Sequence, residues 1–201
     1  MCEAINGLRL IGGYVSRNEE KRLLETIDAQ SWMTDMKRRV QHYGYRYDYK
    51  ARRIDESMHI GALPDWAKTL SLRLLCDGFI SKLPDQVIIN DYQPGQGISP
   101  HVDCVPCFED TVLSLTLGSG CVMTFDHLHS SAHTFRYLNA RSLLIISGDA
   151  RYDWKHGIPA RKTDALNGFK ITRARRVSIT FRSVILESAM AEIADMEREA
   201  V

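Results

Sequence analysis

His101 and Asp103 stand two positions apart behind a Pro94-Gly95-Gln96-Gly97 turn, and a further histidine, His156, sits in Trp154-Lys155-His156-Gly157-Ile158-Pro159. In an extended chain, side chains at i and i+2 leave on one face, so His101 and Asp103 can approach a common centre. Gly157 and Pro159 mark an exposed strand end beside His156. Two imidazoles and a carboxylate on three corners of a metal leave the opposite corners open, the arrangement that suits Fe(II) activation of oxygen. A His-x-Asp pair also arises from ordinary turn chemistry, so other residues must carry the reading.

They lie near the C-terminus. Arg176-Val177-Ser178-Ile179-Thr180-Phe181-Arg182 alternates strictly, which places Arg176, Ser178, Thr180 and Arg182 on one face of a strand and the apolar residues on the other. Arginines and hydroxyls turned inward are costly unless they meet an anion. A strand of this length spans about 20 Å, so its long arginines can converge on the ends of a small dicarboxylate. Asn90 and Tyr92 share a face and can add hydrogen bonds.

The elements that position these groups are readable in outline. Ser16 and Glu19 form a capping box ahead of Leu23, Leu24 and Ile27, predicting a helix over about 17–31. Pro64 opens a second helix through Trp66, Leu70 and Leu74, stopped by Asp77-Gly78. Tyr43, Tyr45, Tyr47 and Tyr49 alternate with other residues at strand period. Strands are expected near 86–92, 111–117, 121–125, 134–138, 142–146 and 176–182, a sandwich or barrel led by helices and hence α+β. Ile185, Leu186, Ala189, Met190 and Ile193 predict a C-terminal helix outside the core.

Composition sets the frame. The chain has 201 residues with 44% hydrophobic and 25% charged, which suits one globular domain and excludes a collagenous or disordered chain. No apolar run approaches a membrane span, and the first residues lack the pattern of a secretory signal. Five scattered cysteines predict reduced thiols in a cytoplasmic compartment, with Cys104 and Cys107 as incidental thiols rather than a redox pair. The net charge is +1, but residues 36–54 and 160–182 each hold seven Lys/Arg against one Asp, which fits an anionic partner such as nucleic acid. A monomer is expected.

Together these residues resemble the AlkB family of Fe(II)/2-oxoglutarate dioxygenases over about residues 5–183. The matching stretches are Asn90-Asp91-Tyr92, the turn into His101-Val102-Asp103, Ser147-Gly148-Asp149-Ala150-Arg151 leading to His156, and Arg176 to Arg182. The unbroken phrase from Asn90 to His101, with Phe108-Glu109-Asp110, is most similar to small members related to the dioxygenase domain of tRNA-wobble hydroxylases. The resemblance implies a double-stranded β-helix (jelly-roll) domain at 1–183, with a substrate lid at about 36–60 and a helical extension at 184–201.

It also implies roles. His101, Asp103 and His156 would hold Fe(II); Arg176 and Tyr92 would take the distal carboxylate of 2-oxoglutarate, Arg182 and Asn90 its C1 end, with Ser178 and Thr180 on the floor. With O₂ as the other co-substrate, the expected activity is oxidative demethylation of N1-methyladenine and N3-methylcytosine in single-stranded DNA or RNA, with formaldehyde released. Hydroxylation of a modified tRNA wobble base is the alternative, and a non-catalytic nucleic-acid-binding module is the rival from another class. Lys37, Arg38, Arg39, Arg52 and Arg53 are expected on phosphates, with one or two of the alternating tyrosines stacked on a base. Val105 and Pro106 stand where the founding member carries base-reading acids, so looser base selectivity is expected. Asp149 and Arg151 are candidates to support His156. His127, His129 and His133 read as solvated loop histidines.

Overall fold

The computed structural model describes residues 4–34 and 36–186. In chain order its elements are β1 (Leu8–Ile11), α1 (Arg17–Asp28), β2 (Arg39–Tyr43), α2 (Asp65–Cys76), β3 (Gln86–Tyr92), β4 (Ile98–His101), β5 (Val112–Gly118) and β6 (Cys121–His127). There follow β7 (His133–Leu138), β8 (Leu143–Ile146), α3 (Gly148–Tyr152), β9 (Trp154–Ile158), β10 (Thr163–Leu166), β11 (Phe169–Thr172) and β12 (Arg176–Arg182). The expected C-terminal helix at 184–201 lies almost wholly outside the described residues.

A six-stranded antiparallel sheet, ordered β1-β8-β5-β12-β3-β2, faces a four-stranded sheet ordered β4-β9-β6-β7, and β10 and β11 form a separate hairpin. Alternation along the central strands splits the larger sheet into two functions. Ile89, Leu113, Leu115, Ile145, Ile179 and Phe181 pack under Leu23 and Ile27 of α1 and Leu70 and Leu74 of α2. The opposite face meets the smaller sheet, where Leu144, Ile146, Met123, Phe125 and Ile158 make a second apolar cluster. Apolar burial on the helix side leaves the inner face of β3, β5 and β12 free to be polar.

Helix α1 starts as expected, with Ser16 capping the Glu19 N–H and the Glu19 carboxylate returning to Ser16. It ends at Asp28 rather than 31, because Gln30 N–H turns back to the Ile27 carbonyl and Trp32 reaches the core from the loop. The tyrosine stripe is not one strand. β2 stops at Tyr43 because Gly44 takes φ +77, and a Cβ there would stand 1.8 Å from the Asp85 carbonyl oxygen. Tyr43 consequently packs edge-on to Trp66, while Tyr45 and Tyr47 join a cluster with Ile54, Phe108 and Val184. Only Tyr47 and Tyr49 of the stripe face the cleft described below.

Candidate active site

β4 and β9 are antiparallel neighbours in which His101 is the cross-strand partner of His156. Their imidazole centroids are 4.5 Å apart. The strands approach this closely because residue 97 is glycine; a Cβ there would lie 2.1 Å from the Ile158 carbonyl oxygen. Asp103 follows β4 on a turn, and one nitrogen or oxygen each from His101, Asp103 and His156 lie within 4.8 Å of one another. His101 Nδ1 is 2.8 Å from the Ser99 carbonyl, which fixes the proton there and turns Nε2 toward Asp103, 3.8 Å away.

The electrostatics suit a cation. Burial works against the Asp103 charge, but Arg182 at 3.0 Å and the two imidazoles outweigh it and hold the carboxyl well below the usual carboxylate range. Burial also pushes His156 down to about 4, so its ring is neutral at pH 7 with a lone pair to offer. Among the described residues this is the group of His, Cys, Asp and Glu side chains that could hold a metal.

All nine site residues expected from the sequence line one chamber between the sheets. Cross-strand pairing explains the convergence: Arg176 lies opposite Tyr92, Ser178 opposite Asn90 and Thr116, and Thr180 opposite Ser114. The Arg176 guanidinium, 3% exposed, sits over the Tyr92 ring and donates to Thr116 Oγ1 at 2.9 Å. Its Nε and Nη1, with Arg182 Nε, are buried without a hydrogen-bond partner. Buried orphan donors on an arginine are expensive, and an anionic ligand is what satisfies them.

Other expectations change. Arg151, 2% exposed, does not support His156: it donates to the carbonyls of Asp103, Cys104 and Phe108, at 2.9, 3.2 and 3.2 Å, and so fixes the turn carrying Asp103. Cys104 and Cys107 are joined in a disulfide rather than reduced, their Cα atoms brought to 5.2 Å by a short 3-10 turn. Arg39 is spent on Asp91 and the Trp32 ring, and Arg53 faces Asp55 at 3.6 Å, so neither lines the cleft. The expected loop histidines are partly strand residues: His133, opening β7, pairs with Asp126 at 2.5 Å, and His127, ending β6, packs on Trp154. Arg38, expected on phosphate, lines the cleft and also donates to Asn90 Oδ1 at 2.7 Å, while sequence reasoning missed the buried His42 beside Tyr49.

Over the His101, Asp103 and His156 cluster opens a cleft of about 780 Å³. Lys37, Arg38, Tyr47, Tyr49 and Arg52 form its outer wall and His101, Asp103 and Arg182 its floor.

Residues 7–182 match the sequence profile of the 2OG-Fe(II) oxygenase superfamily. An uncharacterized protein of Acanthamoeba polyphaga mimivirus, L905, is 41% identical over 184 residues, 91% of this chain and 87% of that protein. The Xenopus tropicalis tRNA (carboxymethyluridine(34)-5-O)-methyltransferase alkbh8 is 40% identical over 199 residues, 89% of this chain but 32% of that protein. The chain belongs to the AlkB-type 2OG-Fe(II) oxygenases. The fold agrees: OsALKBH1 superposes with a TM-score of 0.64 at 16% identity, over 91% of this chain and all of that one. An AlkB-type oxygenase is an oxidoreductase, and the family implies Fe(II) and 2-oxoglutarate. The residues present fit both groups, since a His-Asp-His donor set meets a hard-to-borderline cation and the orphaned Arg176 donors meet a carboxylate. No helix among the described residues is long and apolar enough to cross a membrane.

Proposed function

We propose that this AlkB-type oxygenase oxidises a modified base of RNA, and that the base it accepts is neutral or anionic rather than cationic. The observation that carries this is the cleft's charge. Among the described residues it is lined by Lys37, Arg38, Arg52 and Arg182 against one carboxylate, Asp103, which Arg182 already engages. N1-methyladenine and N3-methylcytosine are positively charged at neutral pH, and a cationic lining with a bound divalent ion disfavours them. A uridine carrying a carboxymethyl group or its ester places acceptors where the lysine and arginines stand. This reverses the order expected from the sequence, putting hydroxylation of a modified wobble uridine ahead of demethylation.

When bound, iron and 2-oxoglutarate would activate O₂, one oxygen atom turning a substrate C–H into C–OH and the other entering the succinate formed as the co-substrate loses CO₂. The protein's part is placement. His101, Asp103 and His156 hold the metal; Arg176 takes the distal carboxylate of 2-oxoglutarate beside Tyr92. Asn90 and Arg182 meet its C1 end, with Ser178 and Thr180 on the floor. Tyr49 and Tyr47 stack on the base, and Lys37 and Arg52 hold phosphates.

Nucleoside mass spectrometry tests the reading, with bulk tRNA and methylated DNA and RNA oligonucleotides incubated with protein, Fe(II), ascorbate and 2-oxoglutarate. One oxygen gained on a tRNA nucleoside is the expected result, absent in His101→Ala. Methyl loss from N1-methyladenine oligonucleotides with tRNA untouched would overturn it and restore the demethylase.

A further inference from the structure

The turn after Asp103 meets the outer wall of the cleft through Phe108, which packs on Tyr47 with ring centroids 5.6 Å apart, and through sulfur. Cys104 Sγ and Cys107 Sγ lie 3.2 and 3.4 Å from the carbonyl oxygen of Arg52, a residue more than fifty positions earlier in the chain. We infer that Cys104 and Cys107 form a reversible dithiol–disulfide site whose state sets how firmly the Arg52 loop is tied to the Asp103 turn. This goes beyond the substrate reading and does not rest on it.

Both redox states are accessible to the backbone. The Cα atoms are 5.2 Å apart, within bridging range, with Cys104 capping and Cys107 ending the three-residue turn Val105–Cys107. The states differ in hydrogen. A thiol donates, if weakly; a disulfide sulfur has no hydrogen to donate. The Arg52 carbonyl therefore has two S–H donors in the dithiol and none in the disulfide, although the oxygen stands at donor distance from both.

Two features direct the effect outward. Arg151 grips the carbonyls of Asp103, Cys104 and Phe108 from inside, so the turn itself is anchored whatever the sulfurs do. The Arg52 side is the weaker partner. Residues 48–53 close on themselves through Arg52 N–H to Asp48 O and through the Asp48 carboxylate to the N–H groups of Lys50 and Ala51. Arg52 also holds φ +53, an uncommon backbone state for a side chain of this size, which persists only where neighbours enforce it. Removing two donors from its carbonyl loosens that enforcement, and Arg52 lines the substrate cleft.

Reagents can arrive from either side. Cys104 borders the cleft, while Cys107 borders a separate outer groove with Arg53, Val105 and Pro106. The cysteines are 5% and 3% exposed, so the partner is a small disulfide rather than a protein. One thiolate attacks the reagent disulfide, R–S–S–R, forming a mixed disulfide and releasing R–SH; the second thiolate then displaces the other R–SH. Two thiols are oxidised, one reagent disulfide is reduced to two thiols, and a thiol reductant reverses the step.

Limited trypsin digestion of the full chain, metal-free and without substrate, reads the tie directly. Protein reduced with dithiothreitol is compared with protein oxidised by hydroxyethyl disulfide, with alkylation mass spectrometry counting thiols at Cys104 and Cys107. Cleavage at Lys50, Arg52 and Arg53 is expected to be about three- to tenfold faster in the oxidised protein, the range one to two lost hydrogen bonds allow. The Cys104→Ser/Cys107→Ser variant keeps hydroxyl donors and cannot oxidise, so it should be cut slowly in both conditions. Should that variant fail to fold, Cys104→Ala/Cys107→Ala also removes both thiols, leaves nothing for the reagent to cap, and must abolish the redox dependence. Equal cleavage of oxidised and reduced protein, or a redox effect that survives in either variant, overturns the inference.

Discussion

Residues 36–54 and 160–182 each carry seven lysines and arginines against one aspartate, yet the fold uses them differently. In the first, Lys37, Arg38 and Arg52 border the cleft over the His101, Asp103 and His156 cluster. In the second, Arg173 and Arg161 close on Asp164 at 2.6 and 2.7 Å, Arg175 spans Asp28 and Asp91, and Arg176 and Arg182 turn inward. In the second, only Lys162 and Lys170 stay exposed without an ion-pair partner among the described residues, away from the cleft lining. The carboxylates that neutralise Arg175 come from 147 and 84 positions away. A charge count over a window is therefore silent about surface potential unless the distant acids are placed.

The sharpest break of this contrast is Asp164→Ala. Asp164 is fully buried and binds Arg161, Arg173 and the Val122 N–H, so its loss strands a buried guanidinium. Unfolding in urea should show a loss of about 3–5 kcal/mol. Retained stability would mean that the second window is solvated after all.

Within the first window, His42 links stability to pH. Burial, followed by Arg46 and Arg182, lowers it from 6.5 to about 4, and Tyr47 N–H donates to its Nδ1 at 3.1 Å, a bond only the neutral ring accepts. Its folded pKa lies below its unfolded value, so the unfolded chain binds the extra proton. Stability from this group is full above pH 6.5, falls as pH drops, and is lost by about pH 4, about 3 kcal/mol in all. Urea titrations across that range should show the slope, and His42→Gln should flatten it.

Arg173 and Arg176, three positions apart, make the contrast at single-residue scale. Arg176→Ala should leave the urea midpoint nearly unchanged, because its Nε and Nη1 are unpaired in the protein alone. It should raise the 2-oxoglutarate concentration needed for succinate release by about ten- to hundredfold, from about 1.5–3 kcal/mol of charge-assisted bonding. A folded variant with unchanged dependence would detach the arginine from the co-substrate.

The smallest effect is on salt. Lys37→Ala should weaken RNA binding and lower the slope of log affinity against log salt by about 0.7–0.9, one phosphate contact's worth. Lys170→Ala, in the second window, should leave that slope alone. Equal slopes for both variants would place the RNA elsewhere.

Much of the site was legible because it obeys local periods. Arg176, Ser178, Thr180 and Arg182 share a face by strand alternation alone, and β3 and β12 begin and end where expected. His101 and Asp103 were readable as a pair for the same reason. β4 and β9 were harder: each is short, with a glycine and proline grammar that reads as loop, and they are strands only because they pair with each other. The tyrosine stripe failed because one left-handed residue, Gly44, ends the period that the flanking residues still display.

What the sequence by itself determined is which side chains share a face, since that follows from backbone geometry over a few residues. It determined the capping of α1, the polar inner face of β12 and the donor chemistry of the His-Asp-His cluster. Only the tertiary structure decided which faces meet. It set His156 beside His101, Arg151 on the turn of Asp103, Asp28 and Asp91 on Arg175, and both sulfurs on the Arg52 carbonyl. Those partners lie tens of residues apart, and they are brought together by burying the apolar faces of two sheets and two helices, a drive that has no direction along the chain.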